Sequence, residues 1–138
     1  MASQATRVDA VILVAIVGMA AGFAVPRQAD LARAARRDQV EALARSAGSA
    51  AALAHAQWEA RGRPPTLPGA RGLVAMVNGY PSAATLPLLL ASAETAPFAH
   101  ESGAFRHAAA AGRGCGVDYA PPADSGAPPR ITALTEGC

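Results

Sequence analysis

Three histidines and two cysteines are the side chains in this chain best suited to metal binding or nucleophilic chemistry. His55, His100 and His107 have no nearby acid or cysteine at metal-ligand spacing, which favours histidines that face solvent or make structural hydrogen bonds. Cys115 and Cys138 are too far apart for a CxxC redox motif. We therefore expect a protein that is not an enzyme and that needs no metal and no cofactor.

The charge that most needs an explanation is Asp9, which precedes the apolar run Ala10–Val25 (AVILVAIVGMAAGFAV). A carboxylate at the edge of a segment that enters lipid is costly. As a helix the run covers roughly 24 Å, and it reaches across a ~30 Å hydrocarbon core if Arg7 and Arg27 snorkel at its ends. On length and position, three interpretations fit the run: a signal-peptide core, an uncleaved anchor and a buried core helix.

The length and charge of the chain limit its class. A chain of 138 residues is one modest domain with an appendage, and the net charge of +2 is too small to indicate a nucleic-acid partner. Because Cys115 and Cys138 follow a membrane-targeting segment, we expect an oxidising destination, where they form a disulfide. The bond closes a loop of about 24 residues and contributes about 3 kcal/mol in the chain-entropy model.

The stretch from Arg27 to Arg61 is rich in strong helix formers and contains no proline. Its apolar residues follow 3-and-4 spacing, which predicts one buried stripe: Val40, Leu43, Ala47, Ala50, Ala54 and Trp58. Glu41 and Arg45, four residues apart, lie on the opposite, charged face. No loop separates this stretch from the apolar run, so we expect Pro26 to kink one helix of about 50 residues rather than end it.

Loops and short apolar segments follow the helix. The glycines and prolines of residues 62–69 predict a loop, Leu73–Val77 predicts a strand that enters a tight turn at Asn78-Gly79, and residues 86–90 predict a short helix. Residues 91–113 have no clear pattern, although Phe98 and Phe105 are candidates for burial. Residues 115–120 and 131–135 predict two strands around the proline-rich loop 121–129.

The order of these features resembles a type IV pilin. In that family an acid at the fifth mature position precedes an apolar run with a central glycine and a later proline, and Asp9, Gly18 and Pro26 stand at the matching spacings in AVILVAIVGMAAGFAVP. More narrowly, three segments resemble pilins of the mannose-sensitive haemagglutinin (MSHA) type: ARAARRDQVEALARSAGSAAALAHAQWEARG, VNGYPSA and the C-x-V-x-Y…P…T-x-G-C ending.

This resemblance implies an α+β pilin-like fold, in which a long N-terminal helix packs on a small antiparallel sheet with a C-terminal disulfide loop. Residues 1–26 would be the membrane and assembly helix. Residues 27–138 would be the globular domain, divided into the amphipathic helix 27–62 and the sheet and disulfide loop 63–138. The junction at which the family is cut and its new N-terminus methylated falls between Gln4 and Ala5, where other members have glycine and phenylalanine. Asp9 would meet the N-terminal amine of a neighbouring subunit.

The function implied by the resemblance is that of a structural subunit of a type IV pilus-like filament. Its partners would be further copies or other pilins in a helical filament. The chain would begin as a single-pass inner-membrane precursor and end in an extracellular pilus, or fimbrium, with a role in cell adhesion. Two alternatives stay open: a membrane-anchored or secreted envelope domain that binds a ligand or partner, and a pseudopilin of a secretion apparatus.

Overall fold

The computed structural model describes the backbone of residues 2–138 and the side chains of residues 27–138. The chain divides into two compact units, residues 1–35 and residues 36–138. The predicted division at residues 26 and 27 rests on the apolar run and stays a prediction.

The long helix α1 spans Ala2–Ala60, so the predicted helix from Arg27 to Arg61 is confirmed. It ends where Gly62 adopts a positive φ of 79°, a conformation that glycine reaches without steric cost. The indole N–H of Trp58 donates to the carbonyl of Pro64 at 2.9 Å. This bond ties the end of α1 to the chain that leaves it.

The buried face of α1 in unit 36–138 is the predicted stripe. Its fully buried members are Val40, Leu43, Ala47, Ala51 and Ala54. Ala51 takes the fully buried place predicted for Ala50, which lies half-buried at the edge of the stripe, and Trp58 is half-buried at the end of the stripe. On the exposed face, where the charged residues were predicted, Glu41 and Arg45 form an ion pair at 3.7 Å.

The first sheet contains β1 (Thr66–Gly69), β2 (Gly72–Val77) and β3 (Tyr80–Pro81), paired antiparallel in that order. The predicted strand over residues 73–77 and its tight turn at residues 78–79 are confirmed. The prediction of a loop for all of residues 62–69 is wrong at its end, because Pro68 pairs with Leu73 of β2. Strand β1 is an edge strand, where the missing N–H of a proline removes no hydrogen bond from a second neighbour.

Residues 82–113 hold short helices and a hairpin. A 3-10 helix over Leu86–Leu89, with proline in its first turn, confirms the predicted short helix. The helix α2 (Ser92–Thr95) precedes β4 (Phe98–Glu101) and β5 (Ala104–His107), and a second 3-10 helix spans Ala108–Ala110. Phe105 is fully buried and Phe98 packs partly buried against the same core, so both candidates for burial are confirmed.

The second sheet has the order β4-β5-β6-β7, with every neighbouring pair antiparallel. Strands β6 (Gly116–Ala120) and β7 (Arg130–Leu134) confirm the two strands predicted around the proline-rich loop. The architecture is therefore α+β with antiparallel strands, as expected, but the strands form two sheets rather than one.

The core of unit 36–138 lies between α1 and these two sheets. Val40 to Ala51 of α1 pack with Phe105, Val117 and other residues of the second sheet and its flanking segments. Ala54, nearer the end of α1, packs with Leu67 and Val74 of the first sheet. One helix face thus holds both sheets, and each large buried side chain contributes about 1.5–3 kcal/mol through removal from water.

No helix in the described part of the chain combines the length and the apolar character needed to cross a membrane. The run over residues 10–25, for which we predicted such a crossing, lies outside the residues whose side chains the structure describes.

Candidate functional site

The residues predicted to act in assembly and processing lie outside the described side chains. They are Asp9, Gly18 and Pro26 for assembly, and Gln4 and Ala5 for processing. Their roles stay predictions. Of the predicted site residues, the two cysteines lie in the described part of the chain.

Cys115 and Cys138 form a disulfide, as predicted, across a sequence separation of 23 residues. Cys115 directly precedes β6, and Cys138 follows β7, so the bond closes the two-strand segment at one end. Both cysteines are buried, at 1% and 7% exposure, which keeps reductants in solution away from the sulfur atoms. The disulfide is therefore a structural bond in this fold.

Two side chains of unit 36–138 tie the disulfide end of the second sheet to α1. The Nε of Arg36 donates to the carbonyl oxygen of Cys138 at 2.8 Å. The Nε2 of His107 lies 2.8 Å from Oε1 of Gln39, and the backbone N–H of His107 donates to the carbonyl of Cys115 at 2.9 Å. We call these five residues the C-terminal clasp. No local pattern predicted it, because its partners are up to 102 residues apart along the chain.

Gly137 lets the last turn lie directly on the backbone before Cys115. Any Cβ at this position would overlap the carbonyl oxygen of Arg113. The N–H of Gly137 also donates to the carbonyl of Gly114 at 3.3 Å. This lack of space explains why a glycine stands at this position of the T-x-G-C ending.

His107 is a buried imidazole, 6% exposed, that the structure holds neutral. Its Nδ1 accepts the backbone N–H of Ala109 at 3.2 Å, so the ring proton lies on Nε2 and is donated to Gln39. Burial lowers the pKa of His107 below its usual value, and the nearby positive charge of Arg36 lowers it further.

A stack of rings lies at the turn between β2 and β3. His55 of α1 stacks on Tyr80 with ring centres 4.4 Å apart, and its other neighbour Trp58 lies 5.8 Å away. The Nδ1 of His55 donates to the carbonyl of Gly79 at 2.8 Å. We call these four residues the turn stack. It closes the turn against α1, which gives His55 a structural role.

Asn78 joins the same turn to the proline-rich loop. Its Nδ2 donates to the carbonyls of Pro122 and Ala123, both at 2.8 Å. Asn78 has a φ of 51°, which asparagine tolerates better than most residues. The Asn-Gly pair of the tight turn thus also holds a loop 44 residues away.

Tyr119 connects the two sheets. Its hydroxyl donates to the carbonyl of Pro81 in β3 at 2.7 Å, although Tyr119 itself belongs to β6. Burial raises the pKa of Tyr119, with a smaller contribution from Tyr80, so this hydroxyl keeps its proton and acts as a donor throughout the physiological range.

Charged side chains of neighbouring strands meet on the outward face of the second sheet. Arg106 of β5 and Asp118 of β6 form an ion pair at 2.5 Å, and both side chains are more than one third exposed. An open cleft of about 450 Å³ lies beside them on the β4–β5 hairpin, next to His100, Glu101 and Ser102. A pair this exposed contributes at most about 1 kcal/mol.

The three histidines make structural contacts in separate places. His55 binds the turn, His107 belongs to the clasp, and Nε2 of His100 accepts the N–H of Gly103 at 3.3 Å. Among the described residues, no three side chains of histidine, cysteine, aspartate or glutamate come together as a metal-binding group.

Comparison of the chain with protein-family models, with curated proteins and with solved structures found no significant match.

Proposed function

We propose that this protein is a structural subunit of a type IV pilus-like filament, similar to the MSHA-type pilins. The observation that carries the proposal is that one helix, α1 over Ala2–Ala60, contains both the apolar run and the stripe that packs on the sheets. A cleavable signal needs no such continuity with the folded domain. A filament subunit that is held by its helix does need the helix to continue into the folded domain.

In a filament subunit the apolar run would need partners that remove it from water. Unit 36–138 has a complete core in which α1 residues from Val40 onward meet the two sheets. Sixteen consecutive apolar residues exposed to water would be unfavourable by about 25 cal/mol per Å² of apolar surface. A membrane before assembly, and the corresponding helices of other copies afterwards, would both supply the cover.

The C-terminal disulfide supports a destination outside the cytoplasm. Disulfides persist in oxidising compartments and are rare in the reducing cytosol. The bond between Cys115 and Cys138 is consistent with a chain that starts in the inner membrane and ends in an extracellular filament. The role is structural, with further copies or other pilins as partners and no cofactor.

Asp9 is the residue that should distinguish assembly from simple anchoring. In a filament its carboxylate would pair with the N-terminal amine of a neighbour, which would neutralise two charges in apolar surroundings and set the register. Asp9→Ala should leave the chain in the membrane fraction and abolish sheared surface filaments. Asp30→Ala is the matched control, because Asp30 lies on the same helix but is exposed and pairs locally with Arg33 at 3.4 Å.

Normal filament yield from Asp9→Ala would refute the assembly role. N-terminal sequencing of the mature protein shows whether the apolar run is retained or removed. A start at Ala5 fits a processed pilin that retains the run. A start near Val25 in a soluble, secreted form would overturn the filament proposal and favour the envelope domain.

A further inference from the structure

Asn78 is the single asparagine of the chain, and Gly79 follows it directly. Asparagine is one of the less durable side chains, because its amide can be lost without help from an enzyme. The reaction begins when the next backbone nitrogen attacks the side-chain amide, and a glycine leaves that nitrogen open because it has no Cβ. The pair that forms the tight turn is therefore also a reactive pair.

The groups that would react are accessible to each other and to water. Among the described residues, no acceptor takes the backbone N–H of Gly79, so no hydrogen bond has to break before this nitrogen can act. The side chain of Asn78 is half-buried, which leaves part of it in contact with solvent.

The side-chain amide of Asn78 connects the turn to the proline-rich loop. Its Nδ2 donates to the carbonyls of Pro122 and Ala123, each at 2.8 Å. Pro122 is buried, whereas residues 123–126, which we call the loop tip, are exposed. Among the described residues, the bond to Ala123 is the one hydrogen bond that joins the loop tip to a residue outside the proline-rich loop.

Deamidation would turn this double donor into an acceptor. A carboxylate has no hydrogen to donate, so the carbonyls of Pro122 and Ala123 would each face a charged oxygen instead of an N–H. An acceptor left without its donor costs more than the hydrogen bond contributed. Pro122 stays in place through its burial, but the loop tip has no such support and would move away from the turn.

We propose that Asn78 is a site of spontaneous deamidation, and that its conversion to aspartate or isoaspartate frees the loop tip from the turn. The change runs in one direction, because the ammonia is lost to solvent. It is a property of unit 36–138 and does not depend on filament formation.

The reaction consumes only water. The nitrogen of Gly79 forms a bond to Cγ of Asn78, and the bond between Cγ and Nδ2 breaks. The leaving nitrogen takes up the proton that the nitrogen of Gly79 gives up, and it departs as ammonia from a cyclic imide. Water then opens the imide: cleavage at Cγ gives aspartate, and cleavage at the backbone carbonyl of residue 78 gives isoaspartate.

The folded chain should slow this reaction without stopping it. Ammonia leaves only after both hydrogen bonds at Nδ2 have broken. Two ordinary hydrogen bonds correspond to a factor of about ten to one hundred in the equilibrium for undocking. We therefore expect conversion in the folded chain to be about ten- to one hundredfold slower than in the same chain unfolded by urea.

Peptide mapping by mass spectrometry measures both rates. The full chain in detergent micelles is kept at neutral pH, with a parallel sample in urea, and portions are cut with trypsin over time. Asn78 lies in the tryptic peptide 72–106, which contains no other side-chain amide, so a deamidated form of this peptide reports on residue 78 alone.

Asn78→Asp shows what the modification does to the loop tip. Aspartate tolerates the φ of 51° at this position about as well as asparagine, so the substitution changes the hydrogen bonds rather than the turn. We expect the NMR order parameters of the backbone N–H groups of the loop tip to fall from about 0.85 to below about 0.6. Gln57→Glu is the matched control, because it adds the same charge at an exposed position of α1 and should leave these values unchanged.

The proposal is supported if the folded wild type is converted at residue 78 and if Asn78→Asp, but not Gln57→Glu, loses order at the loop tip. It is overturned if the folded chain stays unmodified while the chain in urea is converted completely. A loop tip as ordered in Asn78→Asp as in the wild type overturns it too. If Asn78→Asp fails to fold, the modified and unmodified forms of the aged wild type are separated by charge, and equal order at their loop tips refutes the proposal.

Discussion

Replacing Gly79 by alanine would place a methyl group inside the turn stack. The new Cβ would lie 2.8 Å from Cζ3 of Trp58 and 2.9 Å from Nδ1 of His55. Real Cβ atoms do not approach other heavy atoms this closely, so the two rings must move. Gly79 also has a φ of 89°, outside the range that a side chain adopts without strain.

The cost has three contributions. The positive φ costs an alanine about 1–2 kcal/mol. Displacing His55 breaks its hydrogen bond to the carbonyl of Gly79, worth about 0.5–1.5 kcal/mol, and disturbs its stacking on Tyr80, worth a similar amount. We therefore expect the free energy of unfolding to fall by about 3 kcal/mol, within a range of about 2–5 kcal/mol.

Gly126→Ala is the matched control. Gly126 has nearly the same φ, 94°, but no heavy atom of the described residues lies within 4 Å of the position that an added methyl group would take. This variant therefore carries the backbone strain without the clash and should lose only about 1–2 kcal/mol. The difference between the two losses in free energy of unfolding measures the contribution of the turn stack to stability.

Urea denaturation followed by far-UV circular dichroism gives both free energies, and the fluorescence of the single tryptophan, Trp58, reports on the stack itself. For a domain of about 100 residues, a loss of 1 kcal/mol lowers Tm by roughly 4–8 °C. Equal destabilisation by Gly79→Ala and Gly126→Ala, within about 0.5 kcal/mol, would show that the stack adds nothing and that the reasoning from the clash is wrong.

Two further predictions concern the disulfide and the core. Replacing both Cys115 and Cys138 by serine should lower the free energy of unfolding by about 3 kcal/mol, and dithiothreitol should then have no further effect on the urea midpoint. Leu43→Ala should cost about 2–5 kcal/mol because Leu43 is 1% exposed, whereas Leu53→Ala, at 62% exposure on the same helix, should cost under about 0.5 kcal/mol by the same measurement. Similar losses at the two leucines would contradict the assignment of the buried face.

Local patterns predicted much of the secondary structure. The stripe from Val40 to Ala54 follows the period of a helix, and Asn78-Gly79 has the conformations that a tight turn needs. The two cysteines left one intramolecular pairing. The helical period and the turn each involve residues close together in sequence, and the disulfide follows from the number of cysteines. None of these predictions required knowledge of distant contacts.

Other elements had no local signal. Pro68 belongs to a strand only because β2 lies beside it on one edge, and the hairpin of β4 and β5 lies in a stretch without clear alternation. The choice between one sheet and two depends on which strands meet, and pairing of distant strands is a property of the whole chain.

Patterns along the chain were enough to predict the long helix, its buried stripe, the turn at residues 78–79, the last two strands and the disulfide. Three features became visible only in the folded chain: Gly79 must leave room for Trp58, Tyr119 joins the two sheets, and His107 is held neutral between α1 and the disulfide. The two groups of features differ in how far apart along the chain the interacting residues lie. Periodicity and turn chemistry act over a few residues, whereas packing, burial and the pKa of a histidine depend on groups that folding brings together from far along the chain.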